Sequence, residues 1–237
     1  MKRFFIILLN CIILYPIPSD GQEQRLFYPI SVESGMPHSE VTAIEDDSSG
    51  FIWFGTYNGL ARYDGYSLMS ITKDYENDNY KSLRITALHC DKENNLLYIG
   101  TEDDGIKIMD LDTYDIIERL WFANSIYTIQ EGLNGDIWVG TERGIVRLVH
   151  SEGDFQYRYC ESTLSKVSSI IQTDDKTLMA AASTGIYQID INSGHLAHIM
   201  SGFARSIYDM GLGRYLLGLS SGLYLMDESH QDKITRI

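Results

Sequence analysis

Five times along the chain a pair of glycines brackets a short polar turn and leads into an alternating apolar segment. The copies are Trp53-Phe54-Gly55-Thr56-Tyr57-Asn58-Gly59-Leu60, Tyr98-Ile99-Gly100-Thr101-Glu102-Asp103-Asp104-Gly105-Ile106 and Trp138-Val139-Gly140-Thr141-Glu142-Arg143-Gly144-Ile145. Two degenerate copies follow, Met179-Ala180-Ala181-Ala182-Ser183-Thr184-Gly185-Ile186 and Leu216-Leu217-Gly218-Leu219-Ser220-Ser221-Gly222-Leu223. The second glycines are spaced by 46, 39, 41 and 37 residues. A period of about 40 residues containing only strand-like segments predicts the blades of a β-propeller, because one such unit cannot bury its own apolar faces and must stack on neighbours.

Each repeat parses into four strands. A β-branched or aromatic first strand begins at Val41, Ile85, Ile126, Val167 or Ile207, followed by a turn rich in Asp, Asn, Gly and Ser. A second strand ends at the first glycine, a third starts at the second glycine, and a weaker fourth closes the unit. The repeats span approximately 39–74, 83–120, 124–160, 165–200 and 205–237, within one domain over 22–237. Trp53, Tyr98 and Trp138 hold equivalent places two residues before the first glycine and are expected to fill the space between blades.

The N-terminus carries a different signal. Lys2 and Arg3 precede an apolar run from Phe4 to Tyr15, which Pro16, Pro18, Ser19 and Gly21 interrupt. This reads as a secretory signal peptide over 1–21, too short to span a bilayer comfortably. The exported chain keeps Cys90 and Cys160, which fall in different repeats at opposite radial positions and are expected to stay unbridged. A net charge of −14, from 33 acidic and 19 basic residues, argues against nucleic acid and anionic membranes as partners. It also disfavours acidic ligands unless a local basic patch overrides it.

The first repeat, Val41-Thr42-Ala43-Ile44, Asp47, Gly50, Ile52-Trp53, Gly55-Thr56, Gly59-Leu60 and Arg62-Tyr63-Asp64, resembles the propeller repeat of two-component regulator sensors. The preceding Ser34-Gly35-Met36-Pro37-His38-Ser39 resembles that family's opening loop, with Met36 in place of the usual leucine. Repeats two and three match well; the last two have drifted. The resemblance implies a periplasmic sensing module of Gram-negative bacteria, part of a hybrid two-component sensor that detects glycan-derived oligosaccharides. It also implies seven blades where five are counted, so an incomplete ring is expected, and a second propeller or a homodimer partner could complete a site. An early strand within 25–33 is expected to close the ring, and Ile234–Ile237 to be the outer strand of the fifth blade. No phosphoacceptor-histidine context, ATP-binding glycine motif or receiver segment occurs in the 237 residues, so no catalysis is expected of this chain.

In such a blade, the turn between strands two and three and the loop leading into strand one face the same mouth. The turns offer Tyr57, Asn58, Glu102, Asp103, Asp104, Glu142, Arg143, Ser183 and Ser220; the lead-in loops offer His38, Arg84, Asn124, Lys166 and Arg205. Flat aromatic faces beside hydrogen-bonding groups suit an oligosaccharide. The chosen ligand-binding candidates are Tyr57, Asn58, Arg84, Glu102, Asp103, Asn124, Glu142, Arg143, Lys166 and Arg205, with no catalytic, metal or cofactor site. Two other readings stand beside this one. A free-standing exported interaction propeller would bind protein through its edges. A propeller glycosidase or lyase would need a placed carboxylate pair, and the nearest sialidase-type box, Asp47 to Trp53, has its aspartate one residue too far from Gly50.

Overall fold

The computed structural model describes residues 29–71, 84–123, 125–151, 153–229 and 234–237. The expected signal peptide, the 25–28 part of the expected closing strand, and Asn124 lie outside them. From Ser31 to Ile237 the chain forms five four-stranded antiparallel meanders. Blade one comprises β1 (Val41–Asp46), β2 (Ile52–Thr56), β3 (Gly59–Tyr63) and β4 (Leu68–Ile71). Blade two comprises β5 (Ile85–Asp91), β6 (Leu96–Thr101), β7 (Ile106–Asp110) and β8 (Ile116–Leu120). Blade three comprises β9 (Ile126–Glu131), β10 (Ile137–Thr141), β11 (Gly144–Ser151) and β12 (Asp154–Glu161). Blade four comprises β13 (Ser169–Asp174), β14 (Thr177–Ala182), β15 (Gly185–Asp190) and β16 (Leu196–Ser201). Blade five comprises β17 (Ala204–Gly211), β18 (Arg214–Leu219), β19 (Gly222–Asp227) and β20 (Ile234–Arg236).

The first strands pack against one another in sequence, β1 on β5, β5 on β9, β9 on β13 and β13 on β17, so they form the inner arc. Among the described residues β17 and β1 do not pack in this way, and the five blades form an open arc of a propeller. Residues 29–33 hold no strand. Val32–Ser34 is instead a 3-10 turn, closed by a Ser31–Ser34 capping box and by Gly35 at φ 107°. Serines at both ends of that turn compete for the local backbone groups a strand would need.

The core lies between blades, where the repeat places its aromatics. Trp53 packs with Ile85, Leu88, Cys90 and Leu97 of blade two; Tyr98 packs with Ile126, Ile129 and Ile137 of blade three. Trp138 packs with Ile170, Leu178 and Ala180 of blade four. All three aromatics are at most 1% exposed, so each contributes its full side chain to an inter-blade core. Both cysteines are free, and burial pushes the Cys90 thiol up to about 11.

The first glycine of each repeat is where the next blade comes closest. A Cβ on Gly55 would lie 2.6 Å from Ile85 Cγ2, and one on Gly100 would lie 2.7 Å from Ile126 Cγ2. On Gly140 it would meet the Val167 carbonyl oxygen at 2.4 Å. Repeat four has Ala181 at this place, and its neighbour in blade five is Ala204 rather than Ile or Val. The alanine pair thus stands where the first three repeats have a glycine against an isoleucine or valine.

Blade five corrects one expectation. Its first strand begins at Ala204, which pairs with Leu219, and not at Ile207. The apolar run from Ile207 is a misleading register marker, because the equivalent of Ile85 here is an alanine. Arg205 therefore belongs to β17 and not to the lead-in loop. It sits at a bulge between Ala204 and Ser206, matched by bulges between Val41 and Ala43 and between Ile85 and Ala87.

Candidate functional site

The mouth is assembled by one hydrogen bond made five times. The first turn residue after strand two donates its backbone N–H to the loop leading into strand one of the same blade. Tyr57 donates to Glu40 O at 3.3 Å, Glu102 to Arg84 O at 3.0 Å and Glu142 to Ser125 O at 3.2 Å. Ser183 donates to Ser165 O at 3.1 Å, and Ser220 to Phe203 O at 2.8 Å. Both loop sets thus stand at one end of the blades, where rigid strands hold variable side chains.

The threonine of each Gly-Thr signature fixes the turn from inside. Thr56, Thr101 and Thr141 are buried; their hydroxyls donate to the carbonyls of Gly59, Gly105 and Gly144 at 2.8, 2.9 and 3.1 Å. The same oxygens accept the N–H of Asn58, Asp104 and Arg143 at 3.1, 2.9 and 3.0 Å. Repeats four and five have Ala182 and Leu219 there, and this internal lock is gone.

Three groups of side chains result. Across blades one and two, the Arg84 guanidinium lies 5.1 Å from the centre of the Tyr57 ring, and His38 lies 6.0 Å from that ring on another side. Arg84 also makes a 2.7 Å ion pair with Glu102, which holds its guanidinium firmly protonated. Asn58 and Asp103 stay exposed at the turn tips, and Asp104 turns back to pair with buried Lys107 at 3.2 Å.

Between blades two and three, Trp121, Phe122, Ala123, Glu142 and Arg143 line a cavity of about 340 Å³. Trp121 is 70% exposed, although nothing about an indole favours a wet loop. Gly105, at φ 66°, makes room for it: a Cβ there would lie 2.4 Å from Leu120 O and 3.2 Å from Trp121 Cα. Glu142 accepts the Ser125 N–H at 3.0 Å, while Arg143 is exposed. Phe122, next in the chain, packs at 5.0 Å on Tyr157.

Across blades three to five, Lys166 Nζ lies 5.4 Å from the Tyr127 ring centre and 5.7 Å from that of Phe203. The Arg205 guanidinium lies 5.3 Å from the same Phe203 ring. Ser165 and Ser183 join their hydroxyls at 2.7 Å beside Lys166 in the chain. Trp121, Tyr127 and Phe203 were not among the residues singled out from sequence. Trp121-Phe122 could have been: an apolar pair in the short connection after β8 has no strand face to occupy.

A second polar group sits toward the far ends of the inner strands. His89 on β5 lies between Glu45 of β1 at 3.6 Å and Glu131 of β9 at 3.7 Å. Burial lowers the His89 pKa from its ordinary value and raises those of both carboxyls. These distances exceed hydrogen bonds, and the His89 Nε2 atom is buried without a hydrogen-bond partner. Among the described residues no group of three or more His, Cys, Asp or Glu has the placement of a metal site.

Residues 35–58 match the family described as the two component regulator propeller. Among solved structures, the chain is similar to the extracellular domain of the hybrid two component system BT3049 from B. thetaiotaomicron, with a TM-score of 0.75 and 20% identity over 88% of this chain and 31% of that one. It is also similar to the corresponding domain of BT4673 from the same organism, with a TM-score of 0.53 and 20% identity over 86% and 34% of the two chains. A virginiamycin B lyase from Staphylococcus aureus shares the fold too, with a TM-score of 0.64 and 17% identity over 84% and 69% of the two chains. The chain spans about a third of the length of the two hybrid-system domains. A search of curated protein sequences finds no match. The protein is a β-propeller whose residues 35–58 match the two-component regulator propeller repeat, and it shares its fold with the extracellular domains of hybrid two-component systems.

Proposed function

We propose that this propeller is the ligand-recognition part of an exported sensor and binds oligosaccharides at its mouth without transforming them. The observation that carries this reading is the exposed Trp121, set by Gly105 over a cavity that Glu142 and Arg143 share. A sugar offers a flat C–H face to an indole and hydroxyl pairs to a carboxylate and a guanidinium, and this cavity supplies all three partners. The repeat match and the similarity to extracellular sensor domains support sensing over turnover. The chemistry at the mouth points the same way: Glu102 is committed to Arg84, Asp104 to Lys107, and Glu142 to the Ser125 backbone.

Calorimetric titration of the full chain with a panel of oligosaccharides tests this. Binding of at least one, weakened about tenfold or more by Trp121→Ala with an unchanged thermal midpoint, is expected. Silence across the panel, or binding indifferent to Trp121 and Arg143, would refute the reading; glycan turnover by the pure protein would replace it with the enzymatic one.

A further inference from the structure

The chain carries a net charge of −14, yet its mouth gathers cations. Blades two and three contribute Arg84 and Arg143, the lead-in to blade four contributes Lys166, and β17 contributes Arg205. Arg84 is neutralised by Glu102. Lys166 and Arg205 have no carboxylate partner among the described residues; what holds them is aromatic, through the Phe203 ring they share and through Tyr127. Two like charges over one ring repel each other, and acidic side chains are abundant elsewhere in this protein.

Both residues stand at marked backbone positions. Lys166 has φ 50°, in the left-handed region that costs a residue with a side chain about 1 kcal/mol. Arg205 sits at the register shift between Ala204 and Ser206, the place where blades one to three also shift register after the first residue of the inner strand. Both side chains remain exposed, while the ring faces beneath them limit their rotamers at little desolvation cost. An ammonium 5.7 Å and a guanidinium 5.3 Å from the centre of one ring offer charge-assisted hydrogen bonds to a planar carboxylate.

We infer that Lys166 and Arg205, braced on Phe203 and Tyr127, form the subsite for a uronic-acid carboxylate, so that the ligand of the mouth is an acidic oligosaccharide. This rests on the mouth being the oligosaccharide site, and it adds the charge of the ligand. The acidic surface of the remaining chain opposes anions at long range, so the local pair confers selectivity as well as affinity.

The test titrates the full chain with oligomers of galacturonic, mannuronic and glucuronic acid, and with their methyl esters, which keep the ring and hydroxyls but lack the charge. At least one acid is expected to bind, with its ester about tenfold weaker or worse. The double variant Lys166→Gln and Arg205→Gln is expected to bind acid and ester alike, with a thermal midpoint matching the parent. Equal binding of acid and ester by the parent, or a preference that survives in the double variant, overturns the inference. Binding of neutral oligosaccharides alone also overturns it while leaving the sensing function intact. Absence of binding by any sugar, acidic or neutral, removes both.

Discussion

Replacing Gly100 by alanine adds one methyl group at the point where blade two meets blade three. The new Cβ would lie 2.7 Å from Ile126 Cγ2, 3.0 Å from Ile126 Cβ and 3.3 Å from Ala87 Cβ. Ile126 is fully buried and β-branched, so its Cβ and Cγ2 cannot swing aside without moving the backbone. Overpacking of this kind costs about 1–3 kcal/mol. Against it stands the smaller entropy of an unfolded alanine, which returns about 0.4–1 kcal/mol. The net expectation is a loss of about 1–2 kcal/mol, read as a lower urea midpoint at unchanged slope. Ile126→Ala alone should cost about 2–4 kcal/mol through the cavity it leaves. The double variant reproduces the alanine pair that this protein already uses at Ala181 and Ala204. It should be more stable than the sum of the two single losses by about 1 kcal/mol or more. Additive losses, or a Gly100→Ala protein as stable as the parent, would refute the idea that the first glycine sets the inter-blade distance.

Two further outcomes follow from individual contacts. Asp47 accepts the N–H groups of Ser49 and Phe51 at 2.9 and 3.0 Å and the Trp53 indole N–H at 2.8 Å, so Asp47→Ala should lower stability by about 2–3 kcal/mol in urea unfolding; a loss below about 0.5 kcal/mol would show that the carboxylate is dispensable. The second concerns His89, which burial holds neutral below its ordinary value of 6.5, so the unfolded chain binds more protons there and stability must fall as pH drops from about 6.5 toward the lowered pKa. Asp91 opposes this shift and Lys92 reinforces it, while Glu45 and Glu131, raised by burial above 4.5, act with the opposite sign at lower pH. Urea midpoints compared at about pH 7.5 and 5.5 should differ less in His89→Gln than in the parent, and an unchanged difference would exclude His89 as the source.

The blades were legible because their determinants are local. Strand periodicity, turn residues and the glycine pair lie within single repeats, and Trp53, Tyr98 and Trp138 read as inter-blade fillers from their spacing alone. What depends on packing between repeats was not legible. The first strand of blade five was expected three residues late because Ile207 looks like Ile85, whereas the true counterpart, Ala204, is a small residue that shares a core cluster with Ala181 of blade four. The mouth was legible as a set of loops: Tyr57, Arg84, Glu102, Glu142, Arg143 and Lys166 all stand there. The aromatic partners were not, since Trp121, Tyr127 and Phe203 gain their meaning from cations or cavities supplied by other blades.

The threonine locks divide the mouth into two kinds of territory. Where Thr56, Thr101 and Thr141 bind both sides of a turn, a change of turn length breaks two hydrogen bonds, one of them buried, so those loops are part of the scaffold. Where Ala182 and Leu219 replace threonine, the turns at 183–184 and 220–221 are held instead by their lead-in loops, by the Gly202 N–H on Thr184 O, and by the Tyr187 and Tyr224 hydroxyls on the Thr184 and Ser221 side chains. For anyone re-targeting this protein, those four positions are the ones to randomise, because a library there can alter what is recognised without first having to rescue what is folded.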